Sequence, residues 1–249
     1  MWFSSKKNIV AEGLLEGYVD IHSHILPGVD DGAKDQESTE KILASMQSMG
    51  VKKIFATPHV MSNLYENSTE SLTEAFSSRL EPLSAKYNIE LGLAAEYMID
   101  RGFVDKLRDG EQLLTYNDNS ILIEFSASGE PLDLENVLFE IEDCGYSIIL
   151  AHPERYPYFN ERAIRKLKSK DVMLQLNLLS LGGYYGETVA KTALNLLRKG
   201  YYDFVGSDVH SLRMVERIKN ISIKKNELPM LRSLVTNNKK IKENNICVG

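Results

Sequence analysis

The chain is poor in the residues and patterns that mark several classes of protein. It has only 2 cysteines in 249 residues, Cys144 and Cys247, and they form no CxxC spacing. Two isolated cysteines cannot build a disulfide framework or a four-cysteine zinc site. Cys144, which we expect in the core at a helix end, has no adjacent base or phosphate-loop sequence. Cysteine-based catalysis is therefore disfavoured.

Long apolar runs are also missing. No stretch approaches the roughly 20 apolar residues that span a bilayer. The first ten residues, MWFSSKKNIV, lack the positive start and apolar core of a signal peptide. We therefore expect no membrane insertion and a cytoplasmic location.

Basic residues are not in excess. The chain has 29 Lys and Arg against 35 Asp and Glu, which gives a formal net charge of −6. The overall field does not attract nucleic acid, and there is no GxGxxG or P-loop. We therefore expect no nucleic-acid partner, while the oligomeric state stays open.

What the sequence does contain is a regular alternation of strand and helix patterns. Helical patterns begin at Ser71 and Leu134, for instance, and Gly145 can end the second of them. This alternation predicts parallel strands with right-handed crossovers. Seven short apolar runs predict strands at residues 18–23, 52–57, 89–95, 120–125, 146–151, 172–177 and 203–207.

Seven such units predict an α/β fold, either a closed or distorted (β/α)7 TIM-like barrel or an open doubly wound sheet. A barrel is favoured because it brings the carboxyl ends of its strands to one rim, where polar residues follow most of these runs. We expect residues 1–249 to form a single domain, with the barrel core at about 18–213. The tail from Ser222 is predicted to be a helix with a frayed end.

All five histidines follow strand-like runs, and so do several acids. Neutral imidazoles and carboxylates suit divalent zinc, manganese or iron better than calcium. In HxH, alternate residues of one strand share a face and can reach one ion. The candidate ligands are His22, His24, Asp31, His59, Glu96, Glu124, His152, Asp208 and His210.

Ordinary alternatives exist for several of these residues. Asp31 can be a turn residue or the N-cap of the next helix, and Glu96 and Glu124 can be N-caps or surface acids. The two glutamates end apolar runs, however, where an unpaired charge would cost several kcal/mol. The rim tyrosines Tyr65, Tyr184 and Tyr185 can stack on an aromatic substrate, although exposed loop tyrosines are common.

Six ordered motifs together resemble a known superfamily. They are DIHSHILPGVDDG, ATPH, GLAAEY, LIEFS, AHPERY and SDVH, and they extend from about Tyr18 to Arg213. In order and spacing they are similar to the PHP (polymerase and histidinol phosphatase) superfamily. The resemblance is strongest to its bacterial metal-dependent protein-tyrosine phosphatases of capsule and exopolysaccharide loci.

This resemblance implies a distorted (β/α)7 barrel, the PHP fold, with three divalent metal ions. Manganese is expected, with iron, zinc or magnesium as alternatives. Glu96 is expected to bridge two of the ions. The resemblance assigns His22, His24, Glu96 and Asp208 to one ion, Glu96, Glu124 and His152 to a second, and Asp31, His59 and His210 to a third.

The implied activity is hydrolysis of a phosphomonoester by a metal-activated hydroxide, on phosphotyrosine in the tail of a bacterial tyrosine kinase that regulates capsule synthesis. Arg155 is expected to contact the phosphate. Arg213 is a second candidate, but the usual family arginine lies a few residues later in a proline-containing context, so Arg217 is an alternative.

Three other functions compete with this hypothesis. The same site can act on a small metabolite such as histidinol phosphate. An amidohydrolase also begins with HxH, but this chain has no lysine at the end of the fourth predicted strand. A non-catalytic metal-stabilised docking scaffold would need only about four ligands, so nine candidates disfavour it.

Overall fold

Parallel strands followed by helices dominate the computed structural model, which describes residues 5–117, 119–131 and 133–242. The strands are β1 (Lys6–Asn8), β2 (Val19–Asp20), β3 (Lys53–Ala56), β4 (His59–Val60), β5 (Glu90–Leu93), β6 (Glu96–Met98), β7 (Ser120–Glu124), β8 (Ser147–Ala151), β9 (Met173–Asn177), β10 (Phe204–Gly206) and β11 (Ser222–Lys224). Each of the seven predicted strands contains one of these strands.

The helices mostly lie between consecutive strands. A π-helical turn at Phe76–Leu80 and Pro82 interrupt the single helix that was predicted from Ser71, whereas the helix from Leu134 ends before Gly145 as predicted. The α-helices are α1 (Gln36–Ser48), α2 (Thr69–Ala75), α3 (Leu83–Tyr87), α4 (Arg101–Arg108), α5 (Leu134–Asp143), α6 (Glu161–Lys168), α7 (Leu178–Leu181), α8 (Glu187–Arg198), α9 (Leu212–Ile218) and α10 (Leu228–Asn238).

Two parallel sheets carry the fold. One has the order β10-β9-β8-β7-β6-β4 and the other the order β2-β3-β5. Hydrogen bonds from Ala94 N to Ala56 O (2.9 Å) and from Glu96 N to Pro58 O (3.1 Å) connect the ladder of β3 and β5 to that of β4 and β6. Beyond the ends of β2 and β10, the two sheets meet through one parallel bridge between Ser23 and Val209. The predicted mixed α/β architecture is therefore confirmed.

Side chains along the strands are buried on both faces. On β7, Ile121 and Ile123 belong to the larger hydrophobic cluster under the helices, whereas Leu122 between them belongs to a smaller cluster. In the smaller cluster, Phe55 and Tyr116 meet edge to face at 5.1 Å. The near-continuous apolar strands are explained by this burial on both faces.

Two predictions about the periphery were wrong. The tail from Ser222 is not only helical, because β11 pairs with β1 in an antiparallel ladder before α10 begins. Cys144 caps the end of α5 and is exposed, since it lies on the solvent side of the last helical turn. Cys247 lies outside the described residues. No helix in the described part of the chain is long and apolar enough to cross a membrane.

Candidate metal centre

The structure brings together all nine predicted ligands at the carboxyl ends of the strands. His22 and His24 follow β2, His152 follows β8, and Asp208 and His210 follow β10. His59 follows β3 and begins β4, and Glu96 follows β5 and begins β6. Glu124 ends β7, and Asp31 lies in the turn before α1. The ligand atoms form four overlapping groups: His24, Asp31, His59 and His210; His22, His24 and Glu96; His22, His152 and Asp208; and His59, Glu96 and Glu124.

In the HxH pair, the Nδ1 atom of each histidine has a hydrogen-bond partner. Nδ1 of His22 lies 2.9 Å from Gln175 Oε1, and Nδ1 of His24 lies 2.8 Å from Asp30 Oδ2. Because both partners are acceptors, each neutral ring carries its proton on Nδ1 and a lone pair on Nε2. The two Nε2 atoms nevertheless face each other at 3.2 Å. Such an arrangement of lone pairs requires positive charge between them.

Glu96 lies at the hub of the centre. Its Oε2 is 3.2 Å from His22 Nε2, 3.3 Å from His24 Nε2 and 3.2 Å from His59 Nδ1. Its Oε1 lies 3.0 Å from His152 Nε2. The carboxylate is fully buried, so the alternative of a surface acid is wrong. Glu96 is also the first residue of the strand β6 and not the N-cap of a helix.

The grouping around Glu124 differs from the one that the resemblance implies. Glu124 Oε1 is 3.0 Å from His59 Nδ1, whereas Glu124 Oε2 is 4.0 Å from His152 Nε2. His152 instead groups with His22 and Asp208. His59 therefore lies between two groups and not only beside Asp31.

Asp31 and His210 form the more open edge of the centre. Asp31 Oδ1 lies 3.5 Å from Nε2 of both His59 and His210, and its side chain is 55% exposed. The ring of His210 stacks on that of His24 at 3.9 Å. The N-cap of α1 is Asp35, not Asp31, which removes the capping alternative.

Several buried polar atoms of the centre lack a hydrogen bond, although they lie close together. Among the described residues these are His59 Nδ1, Glu96 Oε2, Glu124 Oε1 and His152 Nδ1. Buried polar atoms in native proteins almost always have a partner. Imidazole nitrogens and carboxylate oxygens are also the donors that manganese, iron and zinc accept. The residues present therefore fit divalent cations.

The pKa values of the buried side chains also show that the centre favours positive charge. Burial lowers the pKa of His22, but the negative charges of Glu96 and Asp208 outweigh burial and raise it to about 9. Burial raises the pKa of Asp208, but the charge of His22 and hydrogen bonding with His24 hold it well below its usual range. Protons on the rings or bound divalent cations can satisfy this demand.

Arg155 is the arginine that reaches the centre. Its Nη1 donates to Asp208 Oδ2 at 2.7 Å, and its guanidinium lies 4.4 Å from the centre of the Tyr185 ring. It does not pair with Glu154, which is buried and accepts from Asn177 N and from the Tyr202 hydroxyl. Arg213 and Arg217 lie exposed on α9 and line a separate cavity with Tyr184.

Two of the candidate ligands have a strained backbone. His152 has φ of 35° and Asp208 has φ of 53°, both in the left-handed region that non-glycine residues seldom adopt. Each follows a strand end, where the sharp change of direction turns the side chain towards the centre. Strain of this kind clusters at functional sites.

Asp30 lies in the motif DIHSHILPGVDDG but was given no role from the sequence, and the supporting residues Gln175 and Asn177 were missed. Asp30 holds His24 and also accepts from His59 N at 3.1 Å, and Asn177 donates to Asp208 at 2.7 Å. Gln175 could have been found from the sequence, because it is a polar residue at an inward-facing position of an otherwise apolar strand. Gly206 allows this packing, because a Cβ atom there would lie 2.6 Å from His22 Cβ and 2.7 Å from Gln175 Nε2.

Aromatic side chains border the centre on two sides. The ring of Tyr65 is stacked on that of His59 at 5.6 Å, and the Tyr185 hydroxyl lies 3.3 Å from Asp208 Oδ2. Tyr184 is 41% exposed beside Tyr185. Two of the three rim tyrosines therefore contact the centre directly.

Comparison with known proteins identifies relatives of the chain. It is 32% identical over 199 residues to the tyrosine-protein phosphatase YwqE of Bacillus subtilis, with 78% of each chain covered. It is 31% identical over 205 residues to the tyrosine-protein phosphatase CpsB of Streptococcus pneumoniae, with 78% of this chain and 83% of that one covered.

Solved structures agree with these relatives. One from the crystal structures of YwqE and CpsB, described as unique metal-dependent tyrosine phosphatases, has a TM-score of 0.73 at 27% identity and covers 88% of this chain and 94% of that one. A histidinol phosphate phosphatase from Lactococcus lactis, at 14% identity and a TM-score of 0.51 over 89% of this chain and 94% of that one, shares the fold.

The profile of one protein family, described as capsular polysaccharide synthesis, CpsB/CapC, matches residues 18–241. The match spans all six motifs and every candidate ligand. The predicted resemblance is confirmed, and the chain belongs to the CpsB/CapC family of capsular polysaccharide synthesis proteins.

Proposed function

We propose that the protein is a metal-dependent phosphomonoester hydrolase that acts as a protein-tyrosine phosphatase. The observation that carries the proposal is the convergence of the His22 and His24 lone pairs on Glu96 and Asp208. This buried cluster of electron-pair donors calls for divalent cations. Relatives named tyrosine-protein phosphatases, and a structural neighbour described as metal-dependent, support the same activity.

Three divalent ions, with manganese as the first choice, are part of the proposal. The nine candidate ligands supply their donors, with Glu96 shared between two groups. Divalent ions in such sites lower the pKa of water and stabilise the charge on phosphate oxygens. The buried rings need no reorganisation to bind them, because Gln175 and Asp30 already hold the rings of His22 and His24.

Arg155 is proposed to bind the phosphate. Its guanidinium is two-thirds buried at the edge of the centre, where Tyr185 covers one face. One nitrogen contacts Asp208, and the fork geometry leaves further N–H groups for phosphate oxygens. Arg155 would then stabilise the negative charge that develops on the transferred group.

Phosphotyrosine in a flexible protein segment is the proposed substrate, and the tail of a bacterial capsule-regulating tyrosine kinase is the proposed source. Tyr65 beside His59 and Tyr185 beside Arg155 offer aromatic surfaces to a phenyl ring. The open edge at Asp31 and His210 offers access for a chain.

We also propose that the two sheets form one distorted seven-stranded barrel within a single domain that spans residues 1–249. In this count β3 and β4 are one strand, and so are β5 and β6. The bridge between Ser23 and Val209 supports this arrangement, as does the bond from Asp208 N to His22 O at 2.8 Å. Closure would explain how the ligands that follow β2 and β10 share one centre. The cytoplasmic location stays a prediction.

The test is hydrolysis of a phosphotyrosine peptide and an aryl phosphate by metal-stripped protein, before and after manganese is added, with metal content determined in parallel. We expect manganese to restore both activities. Cys144→Ser is the matched control and should keep full turnover, because Cys144 is exposed at the end of α5. Metal uptake with hydrolysis of only small metabolite phosphates, or only of amides or lactones, would contradict the proposal.

A further inference from the structure

A cavity of about 330 Å³ lies between the loop after α7 and the helix α9. It is lined by Gly182, Gly183, Tyr184, Arg213 and Arg217, and we refer to it as the arginine cavity. None of the nine candidate metal ligands lines it. The arginine cavity is therefore a feature separate from the cluster of histidines and acids.

The two arginines of this cavity are not neutralised. Within the described residues, no hydrogen bond or ion pair engages the side chain of Arg213 or Arg217. Other surface arginines of this acidic chain do have acidic partners, for example Arg108 with Glu140 at 2.8 Å. The acid of α9, Glu216, pairs with Lys219 at 2.7 Å. The arginine cavity thus concentrates positive charge on a protein whose net charge is −6.

Both walls of the arginine cavity are formed by residues that lie close in sequence to residues of the metal centre. On one side Tyr184 lines the cavity, while the adjacent Tyr185 contacts Asp208 and Arg155. On the other side α9 begins at Leu212, two residues after His210. A peptide bound with one side chain at the centre could therefore place a neighbouring side chain in the cavity.

The lining fits an anionic group on a short apolar stem. Two guanidinium groups bind phosphate or carboxylate oxygens through charge-assisted hydrogen bonds. Leu179 and Ile221 provide an apolar floor, and both are buried. Gly182 lies directly against this floor, since a Cβ atom there would lie 3.0 Å from Ile221 Cγ1.

We propose that the arginine cavity is an accessory subsite for a second anionic group, a phosphate or carboxylate, on the chain that carries the scissile phosphotyrosine. This inference rests on the proposed function. It reassigns Arg213, expected from the sequence to contact the scissile phosphate, and its alternative Arg217 to recognition of the neighbouring residue. Of these three arginines, only Arg155 then binds the scissile phosphate.

The test compares phosphotyrosine peptides with phosphothreonine, glutamate or glutamine at each flanking position in turn. For the wild type we expect kcat/KM about tenfold higher with the best acidic peptide than with its glutamine counterpart, mainly through KM, which corresponds to about 1.4 kcal/mol. The ratio should fall to about one in an R213Q/R217Q variant. It should persist in R162Q, which changes an exposed arginine of α6.

A phosphothreonine peptide preferred over the glutamate peptide would identify phosphate as the ligand, and equal preference would show that negative charge suffices. A ratio near one in the wild type would overturn the inference. So would a parallel loss on acidic and neutral peptides in R213Q/R217Q, because that would place the arginines at the scissile phosphate.

The proposed function has its own readout, hydrolysis of an aryl phosphate by the manganese-loaded wild type. If neither aryl phosphate nor any peptide is cleaved, the proposed function fails. The subsite is then judged by the affinities of the same peptides in fluorescence anisotropy, where equal affinities of acidic and neutral peptides would overturn it.

Discussion

Buried carboxylates occupy two different environments in this protein. Glu96 and Asp208 lie among histidines, whereas Asp20 and Glu154 lie among neutral hydrogen-bond donors. Burial alone raises the pKa of a carboxyl group. In Glu96 the charge of His22 and the hydrogen bond with His152 outweigh burial, and they hold the pKa well below its usual range.

For Asp20 burial prevails. The carboxylate accepts from Ser207 N at 2.9 Å and from the Ser207 hydroxyl, but these bonds only partly offset burial, and the pKa rises to about 6. Burial likewise raises the pKa of Glu154. Nearby positive charge, and not depth in the core, therefore lowers the pKa of a buried carboxyl group and keeps the group ionised and able to bind a cation.

Replacing Glu96 tests this comparison with the largest expected effect. Glu96→Gln removes the charge at the hub of the centre, where bound divalent ions would supply several kcal/mol of transition-state stabilisation, so kcat/KM should fall about 1000-fold or more. Manganese content should fall in parallel. Glu90→Gln, at the exposed start of β5, is the matched control. A Glu96→Gln enzyme with full metal content and wild-type turnover would refute the hub assignment.

Replacing Arg155 should have the next largest effect. Arg155→Ala should lower kcat by about 100-fold, because it removes one preorganised donor to the transferred group. Bound manganese should stay at the wild-type level, since the histidines and acids are intact. Kinetics and metal analysis of Arg162→Ala provide the comparison. Loss of metal in Arg155→Ala alone would show that the arginine supports Asp208 and does not bind phosphate.

Asp20 provides a test by pH. Its carboxyl pKa is about 6 in the folded chain and about 3.9 when unfolded. Between these values the folded state holds more protons than the unfolded state, so this group lowers stability as pH rises. Asp20→Asn should remove that decline, on the order of 2 to 3 kcal/mol by linkage.

The measurement is the free energy of unfolding by denaturant for both proteins across this pH range. Glu216→Gln is a control in which the expected change of stability with pH has the opposite sign, because a hydrogen bond with Lys219 lowers the pKa of this exposed carboxyl group. Parallel curves for wild type and Asp20→Asn would show that the pKa of Asp20 is the same in the folded and unfolded states.

The smallest effect is expected for Glu154. Glu154→Gln keeps an oxygen for Asn177 N, and the Tyr202 hydroxyl can rotate to accept from the new amide. The free energy of unfolding at neutral pH should change by less than about 1 kcal/mol. Chemical denaturation of this variant and of Glu96→Gln would measure both free energies of unfolding. The comparison would show whether an effect of substitution arises from core stability or from the function of the metal centre. A loss of several kcal/mol would mean that the Glu154 charge has a partner.

Much of the architecture was predictable because it depends on local patterns. The seven strands could be read from short β-branched runs, eight of the nine candidate ligands from their positions at the ends of those runs, and Asp31 from the turn that follows the HxH. The ladder of β1 with β11 could not be predicted, because it joins residues more than 200 positions apart in the sequence. No local signal distinguishes such short edge strands from loops.

The order of residues along the chain shows which residue types end most strands, and hence that imidazoles and carboxylates would meet if the strands were parallel. The hydrogen-bond partners of these residues follow only from the folded chain, in which Asp30 orients His24, Gln175 orients His22, and Arg155 reaches Asp208 and not its neighbour Glu154. The two kinds of interaction differ in their range along the chain. Strand patterns arise from neighbours along the chain, whereas hydrogen bonds and charge pairs depend on how strands and loops distant in sequence pack together.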